Sequence, residues 1–485
     1  YGFALYKQAW CYYNMSEWQE ALRKFKATVF YSELAEELSG ENKIALGREA
    51  QKDFVRTYSH VGDDKRAKFV FADLLGEDDC KSEKCLTLLE QLAGLWFDEG
   101  YFSESAALYR QLIGGRSGYT KNPFYQGRVV DLTARGGDKK KVINETRKLV
   151  ELYRETQAKA GADEKAKEHL EEARVLAETT MRRLAQIWNR EAKKTRNDET
   201  YGYARTMYED YLGLFGDTKY AYEMTFQLGD LYYKLERFDD AAKAFTDALA
   251  IFERVYGDSH PDIADSLNNL GATLDEVRRL DEAVTAYERA LAIRREQLGE
   301  HHPAVAATLD NLAYTQAKLG DLDGAMAAMK EAEAILVAAH GREHPAVATN
   351  LLDQASVARQ RGELAEAARI AAEARAIYEG TSGGDHPDVA FALIEEVTAL
   401  TLAGRPEEAI DLARRAVEIR SREGLSPLLA AEARLRLGQA MWLAGRDRPA
   451  AKAMIMAERA AFSEIPGEVE KLDAWLAENG LAPPG

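Results

Sequence analysis

Histidine is the residue type whose spacing in this sequence first suggests chemistry. A His-Pro pair recurs every 42 residues, at His260, His302, His344 and His386. Imidazoles in a regular array could bind a metal ion or respond to pH. Packed helices lie about 10 Å apart, however, whereas zinc holds imidazole nitrogens at about 2.0 Å. The spacing therefore predicts histidines that shape the start of a helix in each repeat, and no metal site.

The signatures of common catalytic sites do not occur in a supporting context. No P-loop, HExxH zinc site, GxSxG nucleophile elbow or GxGxxG dinucleotide loop joins a predicted strand to a helix. Acidic pairs such as Asp239-Asp240 and Asp281-Glu282 precede helices, where carboxylates complement the helix dipole. We therefore predict that the chain is not an enzyme and that it binds no cofactor.

Three cysteines are the remaining reactive groups. Cys80 and Cys85 flank a short polar run, a spacing that could close a small disulfide loop in an oxidising compartment. The alternative is two unrelated thiols near a helix start. Cys11 stands in an apolar and aromatic helix pattern, which predicts a thiol buried in the core.

The composition limits the classes of partner. The 485 residues are 46% hydrophobic, enough to bury a long core, and the formal net charge is -17. So negative a chain disfavours binding to nucleic acid or to an anionic membrane surface. No run approaches the roughly 18 apolar residues of a membrane-spanning helix. We therefore predict protein or peptide partners, no nucleic acid and no membrane span.

The 42-residue period of the His-Pro pairs also indicates the helices that must position any site. Each unit reads as a helix, a tight turn, a second helix and a loop that leads to the next Pro. Alanines recur where second helices should approach their neighbours, at Ala283, Ala325, Ala367, Ala409 and Ala450. A single hairpin cannot bury its apolar stripe alone. We therefore predict an all-α fold, a right-handed α-solenoid of stacked helix hairpins with a concave groove.

The segment SLNNLGATLDEVRRLDEAVTAYERALAIRRE, which begins at Ser266, resembles the tetratricopeptide repeat in its 42-residue kinesin light chain form. The resemblance covers residues 218–460 and implies stacked hairpins that bind protein partners. This second half is also similar to the repeat tails of myxobacterial serine/threonine kinases. The first half resembles tetratricopeptide proteins of the bacterial cell envelope, including those tied to surface motility and secretion.

The regularity of the pattern divides the chain into three parts. Irregular helical repeats are predicted for residues 1–217, with a long helical insert near 156–196 that is rich in Ala, Glu and Lys. A regular 42-residue array is predicted for 218–462. A capping helix and a tail are predicted for 463–485, where they would shield the last apolar face.

The inward face of the first helices predicts a partner-binding groove, because side chains three or four residues apart share one helix face. At the start of the chain this set is aromatic. It could grip an apolar or proline-rich segment, or pack against a preceding unit or a capping segment. By the resemblance, an Asn-Asn pair implies hydrogen bonds to an extended peptide backbone. The predicted groove residues are Tyr6, Trp10, Tyr13, Phe226, Asp230, Tyr233, Asn268, Asn269, Asp310, Asn311 and Tyr314.

Three functions remain open at the level of sequence. The first is a non-catalytic scaffold that binds a peptide or helix of a partner, within a larger assembly such as a bacterial envelope, motility or secretion machine. The second is the sensing tail of a serine/threonine kinase system. The third is a self-associating structural component. The compartment stays open between the bacterial periplasm or envelope and the cytoplasm.

Overall fold

The computed structural model describes residues 1–39, 46–161, 163–422, 426–462 and 467–481. Within these ranges it contains 23 α-helices, one 3-10 turn and no β-strand. Within each of the two compact units, most consecutive helices pack against each other, and the hairpins pack on their neighbours. The prediction of an all-α solenoid built from helix hairpins is confirmed.

The chain divides into two compact units, residues 1–231 and 232–485. The helices that begin in the first unit are α1 Gly2–Asn14, α2 Trp18–Ser39, α3 Leu46–Ser59, α4 Asp64–Leu74, α5 Glu83–Glu99, α6 Phe102–Gly115, α7 Asn122–Arg135, α8 Lys139–Ala160, α9 Glu164–Thr195, α10 Asp198–Phe215 and α11 Ala221–Lys234. The last of them, α11, contains the boundary between the units.

The helices of the second unit follow the 42-residue period over most of its length. They are α12 Phe238–Tyr256, α13 Pro261–Glu276, α14 Leu280–Leu298, α15 Pro303–Leu319, α16 Leu322–His340, α17 Pro345–Gln360, α18 Leu364–Ser382, α19 Pro387–Leu402, α20 Pro406–Arg420, α21 Pro427–Leu443, α22 Arg448–Arg459 and α23 Glu468–Glu478. We refer to α13, α15, α17 and α19 as the first helices of their hairpins, and to α14, α16, α18 and α20 as the second helices.

The four repeated histidines cap the first helices. In each case the imidazole Nδ1 accepts a hydrogen bond from the backbone N–H two residues further on, and proline occupies the first helical turn. The Nδ1 to nitrogen distance is 3.1 Å at His302 and 3.2 Å at His344. Such a bond satisfies one of the donors that a helix start leaves unpaired. The prediction that these histidines shape helix starts is confirmed.

Two glycines show why the hairpins close so tightly. Gly320 ends α15 with a φ of 90°, the left-handed conformation that a side chain disfavours. Gly271 lies where α13 meets α14, and a β-carbon there would stand 2.7 Å from the ring of Tyr287. The absence of a side chain at residue 271 therefore lets the two helices approach each other.

Small residues line the contacts between hairpins, as predicted. Ala283, Ala325, Ala367 and Ala409 are all fully buried in the second helices. The register prediction is wrong at the next step, because Ala450 is exposed and Ala451 takes the buried position. The strict period of 42 residues from Ala409 leads to residue 451, so the helix keeps the register although the preceding loop does not.

The cysteines occupy different environments. Cys80 and Cys85 are joined by a disulfide bond, and Cys85 is buried at the start of α5. The expectation for Cys11 is wrong, because this thiol is exposed. The buried stripe of α1 carries Leu5 and Ala9, and Cys11 lies on another face of the same helix.

Two helices depart from the regular array. Helix α9 is 32 residues long and is capped by Asp163, the residue before it, whose side chain accepts a hydrogen bond from the backbone N–H of Lys165. Its Ala, Glu and Lys content favours an extended helix. Near the other end of the chain, Leu472 and Leu476 of α23 join a small apolar cluster with Ile455 of α22. The predicted closing segment also includes residues 463–466 and 482–485, which lie outside the described residues.

Candidate functional site

The first helices of the second unit carry polar side chains at equivalent positions of successive repeats. We call this set the polar strip. One column is formed by residues 42 apart, beginning with Asn269 on α13 and continuing through α15, α17 and α19. The strip consists of Asn268, Asn269, Asp310, Asn311, Tyr314, Lys318, Asp353 and Glu395.

Hydrogen bonds across the polar strip join α13 to α15. The side-chain amide of Asn311 donates to the amide oxygen of Asn268 over 3.2 Å. About two turns further along, the ammonium of Lys318 donates to a carboxylate oxygen of Asp275 over 2.6 Å. Asp275 is buried, so this ion pair compensates a charge that would otherwise be costly. The structure therefore brings Asn268 and Asn311 together, and uses their amides to hold neighbouring repeats.

Asn269 differs from these two asparagines. It is half-buried, and among the described residues its side chain has no hydrogen-bond partner, although its carbonyl accepts from Thr273. An amide can donate and accept at once, which is what a peptide backbone requires. Of the three predicted asparagines, Asn269 is thus the one whose side chain is left available.

The carboxylates further along the polar strip sit in a poorly hydrated environment. Burial raises the pKa of Asp310 to about 6, although the side chain of Asn350 donates a hydrogen bond that opposes the shift. Burial also raises the pKa of Asp353 to about 6, and the nearby charges of Asp310 and Glu395 add to the effect. Asp353 accepts no hydrogen bond from any described residue. Glu395, in contrast, pairs with Arg359 over 2.6 Å.

A cleft of about 150 Å³ opens beside Asp353. Tyr314 and Lys318 of α15 form one side, and Ser356 and Gln360 of α17 form the other. Tyr314 is 56% exposed, and the ammonium of Lys318 lies 4.3 Å from the centre of its ring. The cleft therefore combines an exposed aromatic ring, a cation and a carboxylate within the space of a few side chains.

Tyr233 lies at the start of the second unit. It is half-buried, and its ring packs edge-on against Phe238 at 5.3 Å. Burial raises the pKa of its hydroxyl, and the charges of Glu276 and Asp275 add to this shift. The side chain is thus held against the first helix that carries Asn268 and Asn269.

The predicted aromatic residues of α1 contact α3 and His60, the residue that follows α3. The hydroxyl of Tyr6 and the indole N–H of Trp10 both donate to the same carboxylate oxygen of Asp53, over 2.6 Å and 3.2 Å. The hydroxyl of Tyr13 lies 3.1 Å from Nε2 of His60. Burial is the main cause that raises the pKa of Tyr6. These side chains are half-buried, so a large part of each ring serves the packing of α1 on the following first-unit helices.

The remaining predicted residues lie on α11. The carboxylate of Asp230 forms an ion pair with the ammonium of Lys193 on α9 over 2.7 Å. Phe226 is half-buried, with its ring 6.1 Å from that of Tyr222. The two residues belong to the first unit, whereas the whole polar strip belongs to the second.

A further groove, in the first unit, was not predicted. It lies between α5, α7 and α9 and has a volume of about 1170 Å³. A sequence signal exists, because Glu168, Glu172, Val175 and Thr179 fall on one face of α9 by their spacing. That signal is weak, since a solvated helix face gives the same pattern.

The described residues show neither a metal cluster nor a membrane helix. Within them, no group of three or more His, Cys, Asp or Glu side chains is arranged to hold a metal ion. A span of sufficient length and hydropathy to cross a membrane is likewise not found among the described helices.

Comparison with known proteins places the repeats in a family. The model of the family described as "Tetratricopeptide repeat" matches residues 220–296, 276–338 and 346–422. No curated protein matches the chain at a significant level. The fold of this family is typically that of a non-enzymatic interaction scaffold.

Solved structures of repeat proteins are also similar to this chain. Nearly identical TPR-like repeats ascribed to a kinesin light chain of Podosopora anserina share 22% identity, cover 42% of this chain and 98% of their own, and give a TM-score of 0.39. BtubC (BKLC) from P. vanneervenii shares 22% identity, with 52% and 92% covered and a TM-score of 0.39. A tetratricopeptide repeat protein from Parabacteroides merdae shares 12% identity, with 61% and 99% covered and a TM-score of 0.44.

These structural likenesses are too distant to bear on function. The family match falls on the hairpins whose histidine caps and buried alanines are described above. The prediction of tetratricopeptide repeats is confirmed, and residues 220–338 and 346–422 match the model of this family.

Proposed function

We propose that this chain is a non-catalytic scaffold that binds an extended segment of a partner protein along the polar strip. Tetratricopeptide repeat proteins generally mediate protein–protein interactions. The hairpins present their first helices side by side, so equivalent side chains recur at steps of about 10 Å. A segment that crosses from Asn269 to Asp353 passes two such steps, about 20 Å, which about six extended residues span.

The observation that carries this proposal is the carboxylate of Asp353. A mostly buried carboxylate without a hydrogen-bond donor costs free energy, and the cost disappears when a cation or N–H group reaches it. The adjacent cleft has room for a side chain beside the exposed ring of Tyr314. We therefore propose that the partner places the charged end of a Lys or Arg side chain at Asp353 and its aliphatic stem beside Tyr314, whose ring face is already covered by the ammonium of Lys318.

Asn269 supplies the second point of attachment in this proposal. Its amide is not used by any described side chain, and it can donate to a carbonyl and accept from an N–H of the same peptide residue. Two anchors on different repeats would set the direction of the segment. The proposal needs no chemistry at the site, so the bound segment should be released unchanged.

The test is affinity capture of partners from an extract of the native cell, followed by binding of the captured partner to variants. Asn269→Ala combined with Asp353→Asn should weaken binding at least about tenfold, because both anchors are lost. Asp411→Asn is the matched control, since Asp411 is exposed on the second helix α20. Circular dichroism should show an unchanged helix content in both.

Two results would contradict the proposed scaffold function. If binding persists with Asn269, Tyr233 and Asp353 all replaced, the polar strip is not the binding surface. If the captured partner is chemically altered on release, the chain is not a passive scaffold.

A further inference from the structure

The groove in the first unit has an apolar floor. Phe124 and Arg128 of α7 lie along it, and Tyr109 of α6 closes the space behind them. The guanidinium of Arg128 stacks on Phe97 at 4.5 Å and on Phe124 at 5.3 Å. Its buried Nε has no hydrogen-bond partner among the described residues. The floor therefore offers aromatic surface and one N–H donor.

One wall of the groove is formed by α5 and is electrically neutral. Glu90 on this wall is paired with Lys121 and also accepts a hydrogen bond of 2.8 Å from Tyr125. Next to it, a β-carbon added at Gly94 would meet no atom within 4 Å. Helix α5 thus leaves an open space at the position of Gly94 and contributes no unpaired charge.

The opposite wall is formed by α9 and is negative. Glu168, Glu171 and Glu172 line it, and all three are exposed. Glu171 pairs with Arg174 over 2.6 Å, but Glu168 and Glu172 form no ion pair with any described residue. Val175 follows on the same face and is 51% exposed. The wall therefore presents two unpaired carboxylates next to an exposed aliphatic side chain.

We propose that this groove binds an amphipathic, basic helix of a partner protein. The apolar stripe of that helix lies over Phe124 and Val175, and its Lys or Arg side chains face Glu168 and Glu172. Charge complementarity selects the sign of the ligand, because the two unpaired carboxylates of α9 outnumber the one guanidinium on the floor, that of Arg128, whereas Glu90 on α5 is already neutralised by Lys121. The proposal extends the scaffold function to a second surface and a helical ligand.

The length of the groove suits a short helix. The lining face of α9 from Glu168 to Thr179 is about 16 Å long, at about 1.5 Å per residue, which corresponds to about three turns of a partner helix. An amphipathic helix presents an apolar stripe beside a charged one. The aromatic floor and the adjacent carboxylate wall therefore offer a matching surface to both stripes of such a helix.

The probe for this proposal is a display library of helical peptides, about 18 residues long, with a constant apolar stripe and varied flanking residues. Selection on the full chain should enrich Lys and Arg on one edge of the stripe. The dissociation constant of a selected peptide is then measured by fluorescence anisotropy with each variant of the full chain.

Two variants test shape and charge separately. Gly94→Phe fills the open space beside α5 and should weaken binding of the peptide at least about tenfold. Gly202→Phe is the matched control, because a side chain at residue 202 of α10 also meets open space, outside the groove. The double variant Glu168→Lys, Glu172→Lys should weaken binding of the peptide at least about tenfold at low salt. Glu151→Lys, at an exposed position of α8, should leave binding unchanged.

Several outcomes would overturn the proposal. These are selection of acidic or non-amphipathic peptides, failure of any peptide to bind, or binding that is unchanged by either groove variant. The variant Asn269→Ala with Asp353→Asn should bind the peptide normally, because it alters only the polar strip. If binding of a native partner is weakened by substitutions at Gly94 and Glu172 but not at Asp353, the proposed function of the polar strip is wrong. The inference about this groove would then still hold.

Discussion

The side-chain amide of Asn350 donates a hydrogen bond to the carboxylate of Asp310 over 2.7 Å, and so joins α17 to α15. The same amide donates to the carbonyl of Met329 over 3.1 Å. Asn350 is almost fully buried, and Gln354 completes its environment by donating to its amide oxygen. One polar network therefore fixes the distance between two first helices and holds a carboxylate where water scarcely reaches it.

Replacing Asp310 by Asn should raise the free energy of unfolding at neutral pH by about 1 kcal/mol. The folded-state pKa of Asp310 is about 6, above the value of about 3.9 for an unfolded chain, so the folded protein binds the proton more tightly. The contribution of this carboxyl to stability is therefore greatest below about pH 4, and it is lost as the pH rises through about 6. Asn keeps the oxygen that accepts from Asn350.

Chemical denaturation at several pH values measures this effect. The Asp310→Asn protein should show a flatter dependence of stability on pH between about 4 and 6. Asp411→Asn, at an exposed position, should retain the dependence of the parent chain. An identical pH profile for the parent and the Asp310→Asn protein would show that burial does not shift this group.

Removing the cap of one first helix should destabilise its repeat. His302→Ala should lower the free energy of unfolding by about 1 kcal/mol, because the backbone N–H of Ala304 loses its acceptor. His302→Asn should restore most of the loss, since Asn is a good capping residue. The neighbouring exposed His301 caps nothing, so His301→Ala is the control. Equal effects of the two alanine substitutions would contradict the capping role.

Adding a methyl group at Gly271 should be costly. The new β-carbon would lie 2.7 Å from the ring of Tyr287, so α13 and α14 must move apart, at a cost of about 1–3 kcal/mol. At Gly380 of α18 the same change meets no atom within 4 Å. Gly380→Ala should therefore stabilise the helix by about 0.5–1 kcal/mol. Thermal unfolding of the two proteins should shift in opposite directions, and a stabilised Gly271→Ala protein would refute the close approach.

Thiol titration should distinguish the three cysteines. In the absence of reductant only Cys11 should react, because it is exposed and Cys80 and Cys85 are bonded to each other. After reduction and unfolding all three should react. Cys80→Ser should leave the thiol of Cys85 slow to react in the folded protein, since residue 85 is fully buried. Three rapidly reacting thiols in the unreduced protein would exclude the disulfide.

Much of the fold could be predicted from the sequence because it depends on local pattern. The His-Pro pairs, the turn glycines and the buried alanines repeat with one period, and each acts within its own hairpin or on the next one. Predictions failed where a local pattern left the direction of a side chain open. Cys11 stands among aromatic residues yet points to solvent, and Ala450 gives way to Ala451 because an irregular loop precedes it.

The candidate surfaces show the same division. Register alone predicted which helices carry Asn268, Asn269 and Asn311, but not that two of these amides bond to each other and one is left available. It gave no indication that Asp353 would be the carboxylate without a donor. Hydrogen bonds between neighbouring repeats depend on distances of a few tenths of an ångström, which a residue pattern does not contain.

By itself, the sequence determined the period, the helical hairpins and the caps that start them, because these follow from interactions between residues close in the chain. Only the tertiary structure decided which polar side chains are used up in packing. It also decided where α5, α7 and α9 leave a groove with a negative wall. The physical reason is that burial and charge pairing depend on neighbours far away in sequence, and those neighbours exist only once the hairpins have stacked.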